Sequence, residues 1–120
     1  MASLLLFRSS AALSLLTSVG HIRAGYAQGF YKAWDKTPPA ARHAATTSWD
    51  SMNVLLYITA LLNWRWSKTG GPTTVEEKAM FALLMMHGFF EGWRFFRIGV
   101  YPPLIFCWLV PMTSLTAWLL

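Results

Sequence analysis

Residues 73–97, TTVEEKAMFALLMMHGFFEGWRFFR, constrain the fold more than any other stretch of the chain. Gly70-Gly71-Pro72 interrupts whatever comes before. Thr73 or Thr74 can then cap free backbone amides, and Glu76 or Glu77, three residues on, completes a capping box. Both acids also lie in the first turn, where the positive end of the helix dipole favours them. Ala79 to Phe90 carries no charge, with His87 alone among apolar side chains; Glu91, Arg94 and Arg97 return at steps of three. At 100° per residue His87, Glu91 and Arg94 share one face, and Phe89, Trp93 and Phe96 lie opposite. Gly88 and Gly92 form a G-x-x-x-G step to one side. A polar stripe, an aromatic wall and a groove for close contact are what a helix inside a membrane needs.

The rest of the chain agrees with a membrane environment. Hydrophobic residues make up 55% of the 120 and charged residues only 12%, against about 25% charged in soluble domains. A soluble core of this size cannot hide so much apolar surface. The net charge of +5 comes from ten Lys and Arg scattered singly. That pattern excludes a nucleic-acid partner and suits anionic lipid and membrane orientation. The one cysteine, Cys107, lies in an apolar run and has neither a disulfide partner nor metal-ligand spacing.

Residues 1–34 contain no Asp or Glu but do contain Arg8, Arg23 and Lys32 with several Ser and Thr. This is the bias of a mitochondrial transit peptide, shared by plastid ones. A secretory signal would put its cations before the leucines, and Arg8 follows them. The segment is expected either to target the chain or, if retained, to lie as an amphipathic helix on the membrane surface. His21 and His43 read as solvated surface histidines. Thr37-Pro38-Pro39 ends the segment, and residues 35–48 read as a small-residue linker.

Three helices are expected in residues 49–120, at about 49–67, 74–97 and 103–120. The first is flanked by Trp49 at one end and by Trp64 and Trp66 at the other, two aromatic belts about 25 Å apart. Pro102-Pro103 opens the last, and Pro111 should kink it. The expected fold is an all-α membrane protein of two to three short transmembrane helices with a helical hairpin, preceded by a basic N-terminal segment. With three spans, Arg8, Arg23, Lys32, Lys36, Arg42, Arg94 and Arg97 share one side, against Arg65, Lys68 and Lys78 on the other. The positive-inside rule then turns the N-terminus to the matrix.

No Ser/His/Asp set, phosphate-binding glycine loop or paired metal ligands appears, so the chain is not expected to be an enzyme. Glu91 and Arg94 read as mutually neutralising, and Arg97 as snorkelling to the headgroups. His87, near the middle of its helix, has the chemistry of an axial haem ligand, and also of a packing residue bonded to a neighbouring helix.

Two resemblances follow. His87-Gly88, then Gly92-Trp93, with Pro102 further on, resembles the second helix of the cytochrome b anchor subunits of succinate dehydrogenase. That resemblance implies haem b with His87 on its iron, a ubiquinone pocket, and Arg94 and Tyr101 near propionates or quinone. The family's Asp-Tyr pair is reduced here to Tyr101. In composition and layout the chain is also similar to the small supernumerary subunits of mitochondrial respiratory complexes. The expected function is therefore a structural, non-catalytic subunit of an inner-membrane respiratory complex, packed on a larger core through Gly88 and Gly92. Partner subunits and lipids, cardiolipin among them, are its expected contacts. The alternatives are the haem- and ubiquinone-holding anchor and an ATP synthase membrane-region subunit.

Overall fold

The computed structural model describes residues 1–120 and is all helical, with no strand. Five helices follow in order: α1 (Ala2–Ala27), α2 (Phe30–Trp34), α3 (Pro39–Thr69), α4 (Val75–Arg97) and α5 (Val110–Leu119), the last entered through a π-helical turn, Ile105–Leu109. The four long ones run up and down in a body of 50 × 25 × 24 Å. Cross-helix contacts fix the sense of each. Phe7 meets Trp66 and His21 stacks on Trp49, so α1 is antiparallel to α3. Ser3 donates to the Ala117 carbonyl, which sets α5 antiparallel to α1. Phe81 touches both Trp66 and Trp118, so α4 runs opposite to α3 and α5.

The N-terminal segment is the hub of this bundle. Residues 1–34 form α1 and α2, and α1 packs along both α3 and α5. Its buried positions Phe7, Ala11, Ser14, Ser18 and Gly25 fall at heptad spacing, with Ser10 beside them. Small side chains there let the helix axes approach closely. The expected linker, 35–48, is helical from Pro39 onward. Pro38-Pro39 begins α3 instead of ending what precedes it, because proline suits the first helical turn, where no amide partner is lost. The α4 boundaries, Val75–Arg97, match the expected 74–97, and those of the last helix fall near 103–120.

The hairpin between α3 and α4 is held by the predicted cap. Thr74 Oγ1 accepts from the Glu77 amide, and Glu77 reaches back to the Thr74 amide. Glu77 also accepts from the Thr73 amide at 2.7 Å and the Thr73 hydroxyl at 2.9 Å, and pairs with Arg65. Gly70 and Gly71 make the reversal with φ of 78° and 130°, and the Trp118 ring lies where a Gly71 Cβ would project.

Pro111 explains the π turn. It has no amide to give the carbonyl four residues back, that of Cys107, and the ladder widens just before it. The Cys107 carbonyl lies against Gly88, only 2.5 Å from where a Cβ would stand, and the Trp108 indole fills the space beside Gly92. The G-x-x-x-G groove is thus occupied by the chain's own C-terminal helix.

By length and composition α1 is the one helix apolar enough to cross a membrane, a property it shares with signal sequences; residues 105–119 form a shorter apolar helix.

Candidate functional site: the cleft between α3 and α4

Two kinds of polar site emerge, one sealed and one open. The sealed one is a seam through the middle of the bundle. Ser18 donates to Asn53 Oδ1 at 3.1 Å, Ser10 to the Val110 carbonyl at 3.3 Å, and Ser114 to Asn63 Oδ1 at 2.7 Å. Asn63 completes its amide by donating to the Thr59 carbonyl at 2.9 Å. Each buried hydroxyl or amide here has a partner, which low-dielectric surroundings demand. A cavity of about 20 Å³, room for one water, lies among Thr59, Asn63, Trp66 and Ser114. The seam joins helices; the Trp66 indole N–H, buried beside the cavity, is the one polar group there without a protein partner.

The open site exists because α3 and α4 are close at their hairpin and diverge beyond it. Trp66–Phe81 and Arg65–Glu77 tie them at one end. Towards the N-terminus of α3 they enclose an open cleft of about 670 Å³. His43, Thr47, Ser48, Ser51, Met52 and Leu55 line it from α3, and His87 lines it from α4. On α3 the spacing 43, 47, 51, 55 is a single i+4 ridge, so one helical face supplies the wall.

The hydrogen bonding of these residues sets them apart. Every other Ser and Thr in the chain makes a side-chain hydrogen bond, except Ser9, mostly back to a carbonyl three or four residues earlier. Thr47, Ser48 and Ser51 make none, nor do the His43 and His87 rings; the structure's only ring-nitrogen bond from a histidine is His21 Nε2 to the Trp49 carbonyl, 2.9 Å. No carboxylate lines the cleft. The nearby acids are engaged: Glu91 by Arg94 at 3.1 Å, Asp50 by the Tyr31 hydroxyl at 2.8 Å. The Asp50 bond and charge push the Tyr31 phenol up to about 12. At the hairpin, outside the apolar part of α4, the Thr73 amide and hydroxyl hold the Glu77 carboxyl down to about 2, with the Thr74 amide and Arg65 adding to them.

The residues singled out in the sequence therefore separate. His87 is exposed on the cleft. Arg94 is bound to Glu91 with its guanidinium 5.7 Å over the Phe90 ring, and Tyr101 is exposed beside Phe96; neither lines the cleft. Gly88 and Gly92 are buried against the C-terminal helix. His21 is half-buried, stacked 3.8 Å from Trp49, where a solvated histidine is expected. Sequence reasoning misses the α3 wall because Ala40 to Ser48 reads as a connector. The i+4 repeat His43, Thr47, Ser51 is the signal that would have revealed it.

Comparison with known proteins returns no matching family model, no matching curated protein and no matching solved structure.

Proposed function

We propose that this chain is a small, non-catalytic subunit embedded in the mitochondrial inner membrane, where it packs on and stabilises a larger respiratory-chain complex. One observation carries the reading: the bundle is inside-out relative to a protein solvated by water. Eight of its buried residues are polar or charged against ten apolar ones, while 29 large apolar side chains are exposed. Exposed apolar area on this scale costs far too much in water and little against lipid or partner helices. The acid-free first 34 residues support the mitochondrial address.

If all four long helices cross, the charge balance changes from that of three spans. The end carrying residues 28–38 collects Arg23, Lys32, Lys36, Arg42, Arg94 and Arg97, against Arg8, Arg65, Lys68 and Lys78 at the end of both termini. Positive-inside then puts the former in the matrix and both termini in the intermembrane space.

The electron-transfer alternative draws on His43 joining His87 along one cleft. It is the weaker reading, because hydroxyls dominate that wall and neither Arg94 nor Tyr101 reaches it.

The test is mild-detergent extraction, native gel separation and mass spectrometry of each band, with a reduced-minus-oxidised haem spectrum. The proposal expects migration with a respiratory complex. A stable free monomer overturns it. Succinate dehydrogenase together with a haem signal lost in His87→Ala selects the anchor alternative, and ATP synthase selects the other.

A further inference from the structure

We propose that the cavity in the middle of the seam is the binding site of one resident water molecule, which takes the Trp66 indole hydrogen and ties α3 to α5. The inference stands apart from the membrane reading above, because it uses only the interior of the bundle. Three observations support it.

The first is an orphan donor. Trp66 is wholly buried, and its Nε1–H has no protein partner. An indole nitrogen donates and never accepts, so only an acceptor satisfies it. The Phe7 and Phe81 rings pack on the indole with centroids 6.2 and 5.4 Å away and hold it in place.

The second is the room beside it. A cavity of about 20 Å³ takes one water and nothing larger. No charged residue lines it, and Phe81, Leu84 and Phe106 make much of its wall apolar. An ion would lose its hydration there without compensation, which leaves a small neutral molecule as the occupant.

The third is the balance of hydrogen bonds. Thr59, Asn63 and Ser114 line the same cavity, and each has bonding capacity to spare. Asn63 spends one amide hydrogen on the Thr59 carbonyl and keeps the second. Thr59 donates its hydroxyl hydrogen to the Leu55 carbonyl, and Ser114 donates its own to Asn63 Oδ1 or the Val110 carbonyl. Both oxygens therefore retain lone pairs. A water here can accept from Trp66 and Asn63 and donate to Thr59 and Ser114; buried waters typically make about three such bonds.

Two other rings provide the contrast. The Trp49 and Trp108 indole nitrogens are also buried without a partner, but neither ring lines this cavity. Trp49 lies against Gly25 and Trp108 against Gly92, each so closely that a Cβ would collide with it.

Nuclear magnetic resonance of the full chain in deuterated detergent tests this, with isotope-labelled tryptophan and indole signals assigned by Trp49→Phe, Trp66→Phe and Trp108→Phe. A rotating-frame Overhauser cross-peak between water and an indole proton, opposite in sign to chemical exchange, marks a water held beside that ring. One is expected for Trp66 and none for Trp49 or Trp108. Thr59→Ile removes an acceptor and puts extra carbon into the space of the water, so the Trp66 cross-peak should vanish. Thr113→Ile makes the same change at an exposed hydroxyl and should leave the cross-peak intact. Both hydroxyls bond only to a carbonyl four residues back in their own helix, so neither change breaks a cross-helix bond; far-UV circular dichroism verifies the fold. Absence of a cross-peak at Trp66 in the unmodified chain overturns the proposal without any variant. So do cross-peaks of equal strength at Trp49 and Trp108, or a Trp66 cross-peak that survives undiminished in folded Thr59→Ile.

Discussion

The two ends of the α3–α4 pair use similar residues to opposite ends. At the hairpin, Thr73, Thr74, Glu77 and Arg65 bond to one another, and Trp66, Phe81 and Trp118 close over them. At the far end His43, Thr47, Ser48 and Ser51 line one face of α3, His87 lines the same cleft from α4, and none of these side chains makes a hydrogen bond. Residue type does not separate these regions; geometry does. Polar side chains lock helices where the backbones are close enough to answer them. Where the backbones splay, the same chemistry is left available for something from outside.

Breaking the closed region should have large effects. Gly88→Leu drives a side chain into the Cys107 carbonyl and Pro111, and overpacking of this kind costs about 1–3 kcal/mol or more. Thermal unfolding in detergent, followed by circular dichroism, should show a clear fall in Tm, while Ser48→Ala in the open region leaves it unchanged. An equal fall for both would erase the contrast. A smaller loss is expected for Asn63→Ala, which removes the acceptor of Ser114 and the donor to Thr59. Interhelical bonds in membranes are worth about 0.6 kcal/mol on average and up to about 1.7, so the same assay should register a shift of that order.

The smallest effect depends on pH. Glu77 titrates lower in the folded chain, about 2, than its ordinary 4.5. Its charged form therefore stabilises the hairpin fully above that ordinary value, and the contribution declines as pH falls towards 2. Unfolding measured across that window should show a slope that Glu77→Gln flattens; an unchanged slope would detach the cap from the closed region's stability.

Much of the closed region was legible in advance. The Thr74–Glu77 box, the glycine reversal and the length of α4 follow from local rules, because capping and φ > 0 are decided within a few residues. The outward polar and aromatic stripes of α4 were legible too, but not that the C-terminal helix of the same chain fills the groove between them. Two features escaped. Beyond Phe7 the buried face of α1 is built of Ser, Ala and Gly at heptad spacing, so it has no apolar periodicity to detect; only Asn53 and Val110 across the interface reveal it as a core face. The cleft escaped because its wall straddles a segment read as linker, and its existence depends on the divergence of two helices, which no local pattern encodes.

The position of α1 also has a consequence for how the protein is made. It leaves the ribosome first, and α3 and α5, the surfaces it is shaped for, follow later, α5 last of all. In the interval Ser14 and Thr17 are already satisfied by the Ser10 and Leu13 carbonyls within the helix itself, whereas Ser3, Ser10 and Ser18 find their partners only on α3 and α5. Its small side chains thus let α1 form as a helix on its own and become a seam once its neighbours arrive. By the same logic, a protease that removed this helix after delivery would take away the surface on which the remaining three assemble.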